Sequence, residues 1–149
     1  KDFWVHGDLA SKDKDGHWFL HGRSDDTIKV SGKRIGPSEL ESVIVKSGKA
    51  KEVAAVGIPD ENKGSKIILS IVLLENSEEK ESYFENLVIN DLGKSFKPDK
   101  IIFVKDLPKT RNMKIMRRVI KSCLTKEDPG DISTLLNPES VEEIRAHAI

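Results

Sequence analysis

The sequence predicts an α+β domain, a small mixed sheet with helices packed on it, preceded by a short β-hairpin and a hinge. Three observations lead there. Asp15-Gly16 and Ser31-Gly32 each separate two short extended runs, as hairpin turns do. Three apolar runs of strand length follow, "VAAVGIP", "IILSIVLL" and "KIIFV". Segments with helical spacing and helical start and stop residues lie between and after them.

Each element has its own reason. In "HGDLASKDKDGHWFLHGR" the Asp-Gly pair supplies the positive φ of a tight turn, so this stretch reads as the first hairpin. "SDD", Ser24 to Asp26, is a polar step without an apolar anchor. "TIKVSGKRI" reads as a second hairpin with Gly32 at its tip. In "GPSELESVIVKSG" Pro37 suits the first helical position, Glu39 and Glu41 suit the positive end of the dipole, and Gly48 suits the far end. Leu40, Val43 and Ile44 share the buried face of that helix. With it, the apolar runs are expected to form a small sheet with one covered face.

"ENSEEKES" reads as a solvated loop leading into a helix that buries Phe84, Leu87, Val88 and Leu92. A further helix is expected from about Met116 to Leu124. The last starts at Asn137, with Pro138 as its first residue, and buries Val141 and Ile144.

Composition narrows the function. Lys plus Arg equal Asp plus Glu at 25 each in 149 residues, so the net charge is zero and the molecule has no general attraction for polyanions. Cys123, the one cysteine, rules out an internal disulfide and fits a reducing, cytoplasmic setting. The longest apolar run is far short of the roughly 20 residues of a membrane-spanning helix, and neither a membrane nor a nucleic-acid partner is expected. The chain begins with Lys1 and "FWVHGD" opens as if within a strand, so a piece of a longer protein is expected.

One stretch resists a purely structural reading. "LPKTRNMKIMRR" gathers Lys109, Arg111, Lys114, Arg117 and Arg118 within twelve residues. It reads as a nucleic-acid patch, an ordinary helix start, or a loop built to hold one lysine at a reaction.

The residues resolve that choice through a resemblance. "GRSDDTIKVSGKRIGPSELE", Gly22 to Glu41, resembles the motif that opens the C-terminal domain of adenylate-forming enzymes: acyl-CoA synthetases, adenylation domains of peptide synthetases, and luciferases. "HGD", His6 to Asp8, resembles their aspartate motif, and "LPKTRNMKIMRR" their catalytic-lysine motif, in the same order. The wording is most similar to the acetyl- and propionyl-CoA synthetase branch.

The resemblance implies a division into residues 1–23, the tail of a large N-terminal domain, a hinge at 24–26, and a mobile lid at 27–149. It implies that Lys114 is catalytic and that Asp8 and Arg23 hold the ribose of ATP or AMP. Arg34 approaches the phosphates, Asp25 is the hinge, and Ser31 and Gly32 face coenzyme A. The implied substrates are ATP with Mg2+, bound mainly by the N-terminal domain, a short carboxylic acid, and CoA. No metal site is expected within this chain, and the fragment alone is expected to be inactive. Lys114 suits the task because a compact ammonium on a long stem offsets the charge of two anions meeting in a transition state.

The family usually has glycine where Met113 stands, so a different backbone conformation is expected there. Arg117 and Arg118 are expected on the helix surface or against the N-terminal domain, and Lys33 has no assigned role. Two other functions remain open at this point: adenylation feeding a carrier-protein thiol, and a non-catalytic module binding RNA or a partner through the basic loop.

Overall fold

The computed structural model describes residues 7–149; His6 and the extended start expected at "FWVH" lie outside the described residues. Strands β1 (Asp8–Lys12) and β2 (Trp18–Arg23) pair antiparallel with a bulge at Leu9/Ala10. Their turn is tied by Asp13, whose Oδ1 accepts from the backbone N–H of Asp15 and of His17, both at 2.9 Å. The hairpin has no core of its own: Trp18, Phe19 and Leu20 are all exposed.

Strands β3 (Ile28–Val30) and β4 (Lys33–Ile35) form the second hairpin. Ser31 (φ 49°) and Gly32 (φ 80°) both take positive φ, so the tip is the two-residue turn whose twist matches that of the strands. The Ser31 N–H donates to Lys63 O at 2.8 Å and fastens the tip to the neighbouring turn.

Helix α1 (Pro37–Lys46) starts at Gly36, whose N–H donates to Glu39 Oε1 at 3.0 Å. The long antiparallel pair β5 (Ala50–Asp60) and β6 (Gly64–Leu73) follows, then α2 (Glu81–Leu92). The latter carries the chain across to β7 (Lys100–Phe103), which pairs parallel to β6 as a helical crossover allows. The sheet is therefore mixed, in the order β5-β6-β7. Helix α3 (Arg117–Leu124) ends where expected. Helix α4 (Glu139–Arg145) begins just after Pro138, slightly later than expected, and buries Val141 and Ile144.

One expectation is corrected here: both faces of the sheet are covered. Val53, Ala55, Ile67, Leu69, Ile71 and Ile101 pack with the β3–β4 hairpin, α1 and α2. Their alternates Ala54, Val56, Ile68, Val72 and Ile102 pack with α3 and α4. Continuous apolar runs, rather than alternating ones, are what a doubly covered sheet requires. Among the described residues no helix is long and apolar enough to cross a membrane.

Candidate functional site

The basic stretch separates into inward and outward cations. Pro108, Lys109 and Thr110 run antiparallel to Lys114, Ile115 and Met116: Met116 N–H donates to Pro108 O at 2.8 Å and Thr110 N–H to Lys114 O at 2.9 Å. Between them Met113 N–H closes a turn onto Thr110 O at 2.8 Å. The other edge of the same segment pairs with residues near 135, where Leu136 N–H donates to Lys109 O at 2.8 Å. A turn of four residues is thus clamped on two sides at its base.

Lys109 points into that base, its side chain 7% exposed. Its Nζ lies 2.7 Å from Glu52 Oε2 and 2.7 Å from Asp106 Oδ1. Burial disfavours its charge, but the two carboxylates outweigh burial and hold its pKa above the ordinary value. Asn137 completes the base, accepting from Lys109 N–H at 3.1 Å and donating to Asp106 Oδ2 at 2.6 Å and Leu107 O at 2.8 Å.

Arg117 turns inward and is partly buried, which corrects its expected surface placement, whereas Arg118 stays exposed on the helix surface as expected. Arg117 binds Glu41 of α1, and Arg118 donates to the carbonyl oxygens of Pro129 and Asp131. An arginine pair at a helix N-terminus opposes the dipole, so both seek acceptors nearby. Arg111 and Lys114 keep an outward tip beside a groove lined with Thr110, Asn112, Ser133 and Thr134. Lys109 and Arg117 are held by carboxylates and Arg118 by backbone carbonyls, which argues against a polyanion patch.

Met113 has a φ of 61°, in the left-handed region that glycine enters more freely than other residues.

The other candidates lie elsewhere. Asp8 faces Arg23 across the β1–β2 ladder. Arg23 holds Asp25 through two hydrogen bonds, Nε to Oδ1 at 3.0 Å and Nη2 to Oδ2 at 3.2 Å, and this pairing first, then the Asp8 and Asp26 charges, raises its pKa. Ser31, Gly32 and Arg34 share the β3–β4 hairpin and are exposed. A Cβ built on Gly32 meets nothing within 4 Å, so only its φ restricts that position within this chain. Lys33, without an expected role, ties the hairpin down by donating to Ser95 Oγ at 2.9 Å.

The hairpin packs on the α1/α2 face of the sheet, whereas Ile115 and Leu135 beside the lysine turn pack on the α3/α4 face. Two loops of different chemistry thus flank the sheet. Sequence reasoning missed the Lys109 cluster. Alternation of Leu107 and Lys109 in an extended run hinted that both point inward, but Glu52 and Asn137 are too distant in sequence to be foreseen as partners.

The α+β fold of this chain recurs in solved structures of acyl-activating enzymes. ATP-bound MatB from Rhodopseudomonas palustris superposes with a TM-score of 0.74 at 27% identity, over 80% of this chain and 24% of that one. A Mycobacterium tuberculosis fatty acyl CoA synthetase gives 0.67 at 30% identity, over 78% of this chain and 23% of that one. Residues 39–114 match the model of the AMP-binding enzyme C-terminal domain, and the chain belongs to that family. Among curated relatives it is 46% identical to an acetyl-coenzyme A synthetase from Methanothrix thermoacetophila, over 95% of this chain and 22% of that protein. It is 42% identical to the chloroplastic/glyoxysomal enzyme of Arabidopsis thaliana, over 98% of this chain and 20% of that protein. The chain spans about a fifth of the length of the curated relatives it matches.

Proposed function

We propose that this chain is the mobile C-terminal lid, with the adjoining hairpin and hinge, of an AMP-forming acyl-CoA synthetase acting on acetate or another short acid. The observation that carries this is the sorting of the basic stretch. Lys109, Arg117 and Arg118 are engaged by acceptors of the chain itself, while Lys114 is exposed at the foot of a clamped turn. In a chain 46% identical to an acetyl-coenzyme A synthetase, this supports one reaching cation rather than a basic surface.

In the first step a carboxylate oxygen attacks the α-phosphorus of ATP and the bond to the pyrophosphate oxygen breaks, giving acyl-AMP. Negative charge grows on the phosphoryl oxygens, and the Lys114 ammonium stabilises it there. Asp8 accepts from the ribose hydroxyls, with Arg23 beside it, and Arg34 approaches the phosphates. In the second step the CoA sulfur, having lost its proton, attacks the acyl carbonyl carbon and AMP leaves.

The lid turns between these steps about 24–26, withdrawing the lysine turn and bringing up Ser31 and Gly32. The placement of the two loops on opposite faces of the sheet supports that exchange. Release of Asp25 from Arg23 is compatible with such a turn, because an exposed pair of this kind is weak.

Residues 1–23 belong to the larger domain in this reading. Trp18, Phe19 and Leu20, exposed here, are then covered by the remaining four-fifths of the synthetase. Mg2+ bound with the nucleotide belongs mainly to that larger part in the same reading. The buried free thiol of Cys123 fits a cytoplasmic protein.

Separate assay of the half-reactions in the intact synthetase tests the reading. Lys114→Ala is expected to suppress pyrophosphate exchange by about 100-fold or more, while thioester formation from supplied acyl-adenylate persists. Gly32→Leu is expected to do the reverse. Gly32→Asn, which tolerates the positive φ, separates obstruction of the thiol arm from a broken turn. Equal loss of both half-reactions in Lys114→Ala and in Gly32→Leu refutes the assignment of separate faces.

A further inference from the structure

We propose that Lys109 is a positioning residue for Lys114: its ammonium, clamped by Glu52 and Asp106, sets the register of the turn that aims Lys114. The proposal rests on the reading of Lys114 as the adenylation cation.

The argument starts from strand geometry. Lys109 and Ile115 stand opposite each other in an antiparallel bridge, so their side chains leave the ladder on the same side. That side is the interior, where Ile115 packs on the α3/α4 core and Lys109 meets its carboxylates. Neighbours along a strand alternate, so Lys114 points outward because Ile115 points inward. A slip of one residue would reverse both and drive the Lys114 ammonium into the core.

Apolar packing alone holds this register weakly. Ile115 and Met116 are adjacent, both partly buried, and both pack on the same core, so either could serve as the inward residue. A cation with two carboxylates cannot be exchanged in this way. Lys109 Nζ receives Glu52 from β5 and Asp106 from three residues upstream, joining the turn to the sheet itself. Asn137 then fixes the backbone of the same residue by accepting from its N–H. An ion cluster of this kind adds little stability over an apolar replacement of equal volume, and its best-attested use is to specify one arrangement.

Half-reactions of the intact synthetase provide the test. Lys109→Met is expected to lower kcat for pyrophosphate exchange about 100-fold, the scale of an ångström-level displacement, with KM for ATP little changed. Thioester formation from supplied acyl-adenylate should persist. In a Lys114→Ala background the same substitution should have no further effect on exchange, because a residue that acts through Lys114 has nothing left to aim. Glu52→Gln, which leaves Asp106 as the partner, should give a smaller loss confined to the same half-reaction, and it carries the test if Lys109→Met does not fold.

The proposal is overturned if these substitutions depress both half-reactions alike, if either leaves exchange unchanged, or if Lys109→Met still lowers exchange when Lys114 is alanine. Should Lys114→Ala itself leave exchange intact, the reading of Lys114 fails, and the positioning role fails with it for that distinguishable reason.

Discussion

Arg117, the first residue of α3, grips Glu41 of α1: Nη2 lies 2.7 Å from Oε2, while Nε and Nη2 lie 3.0 and 2.8 Å from Oε1. The same carboxylate accepts from Ala55 N–H of β5 at 2.9 Å, so one side chain joins two helices and the sheet. Arg117 Nη1 also reaches to 4.0 Å from Asp26, beside the proposed pivot. Burial opposes the arginine's charge, but Glu41 outweighs it and raises the pKa. The pair is 26% and 14% exposed, so removing one partner strands the other in a poorly solvated place. Arg117→Met should therefore destabilise the protein by about 2–3 kcal/mol in urea unfolding, and Glu41→Gln in the same chain should recover part of that loss.

Met113 pays a backbone cost that its side chain, largely exposed, does not repay through packing. A non-glycine residue in the left-handed region loses about 1 kcal/mol or more, and glycine's larger unfolded-state entropy cancels part of the gain. Met113→Gly is expected to raise stability by about 0.5 kcal/mol without altering the Thr110–Met113 turn. Met113→Val should lower stability, since a β-branched side chain suits positive φ least. Thermal unfolding of the two variants side by side checks both signs.

Much of the fold was legible because it depends on local chemistry. Asp15-Gly16 and Ser31-Gly32 encode their turns directly, Pro37 marks a helix start, and the apolar runs became β5, β6 and β7. The number of covered faces was not legible, since a run such as "IILSIVLL" fills one or both sides of a sheet according to what later segments supply. The candidate site divided in the same way. The resemblance to the catalytic-lysine motif singled out Lys114, but which neighbouring cations are engaged within the chain depends on Glu41, Glu52, Asn137 and the Pro129 carbonyl, all brought close only by folding.

Loss of stability in acid should draw on carboxylates that folding holds ionised. Lys66 and the N–H groups of Lys63 and Asn62 hold the Asp60 pKa down to about 2. Asp106 also lies low: burial opposes its charge, but Lys109, the Leu107 N–H and Asn137 outweigh it. A depressed folded-state pKa contributes stability that is fully present above the ordinary carboxylate range and lost as pH falls through the folded value. Stability should thus fall between about pH 4 and pH 2, and Asp60→Asn should flatten that fall. Lys109 has the opposite sign: its raised pKa contributes stability that is intact below about pH 10 and lost above it. Urea midpoints measured across both ranges, with Lys109→Met as the control at high pH, check the two signs separately.

Gly57 on β5 links core packing to the hairpin that carries Ser31 and Gly32. A Cβ built there would lie 2.9 Å from Ile28 Cγ2, closer than such carbon atoms approach, and a tight 3.2 Å from Cγ1. Ile28 is fully buried and branched at Cβ, so its side chain has few other rotamers to adopt. The hairpin itself would have to move off the sheet. Gly57→Ala should cost about 1–3 kcal/mol in urea unfolding, as overpacking does. Ile28→Ala alone should cost about 2–5 kcal/mol through the cavity it leaves, and the double variant should lose less than the sum, because the new methyl group enters that cavity. In the intact synthetase Gly57→Ala should depress thioester formation more than pyrophosphate exchange, since β3 and β4 carry the proposed thiol-facing tip while the lysine turn packs on the other face. Strict additivity in the cycle would mean that Gly57 and Ile28 do not meet.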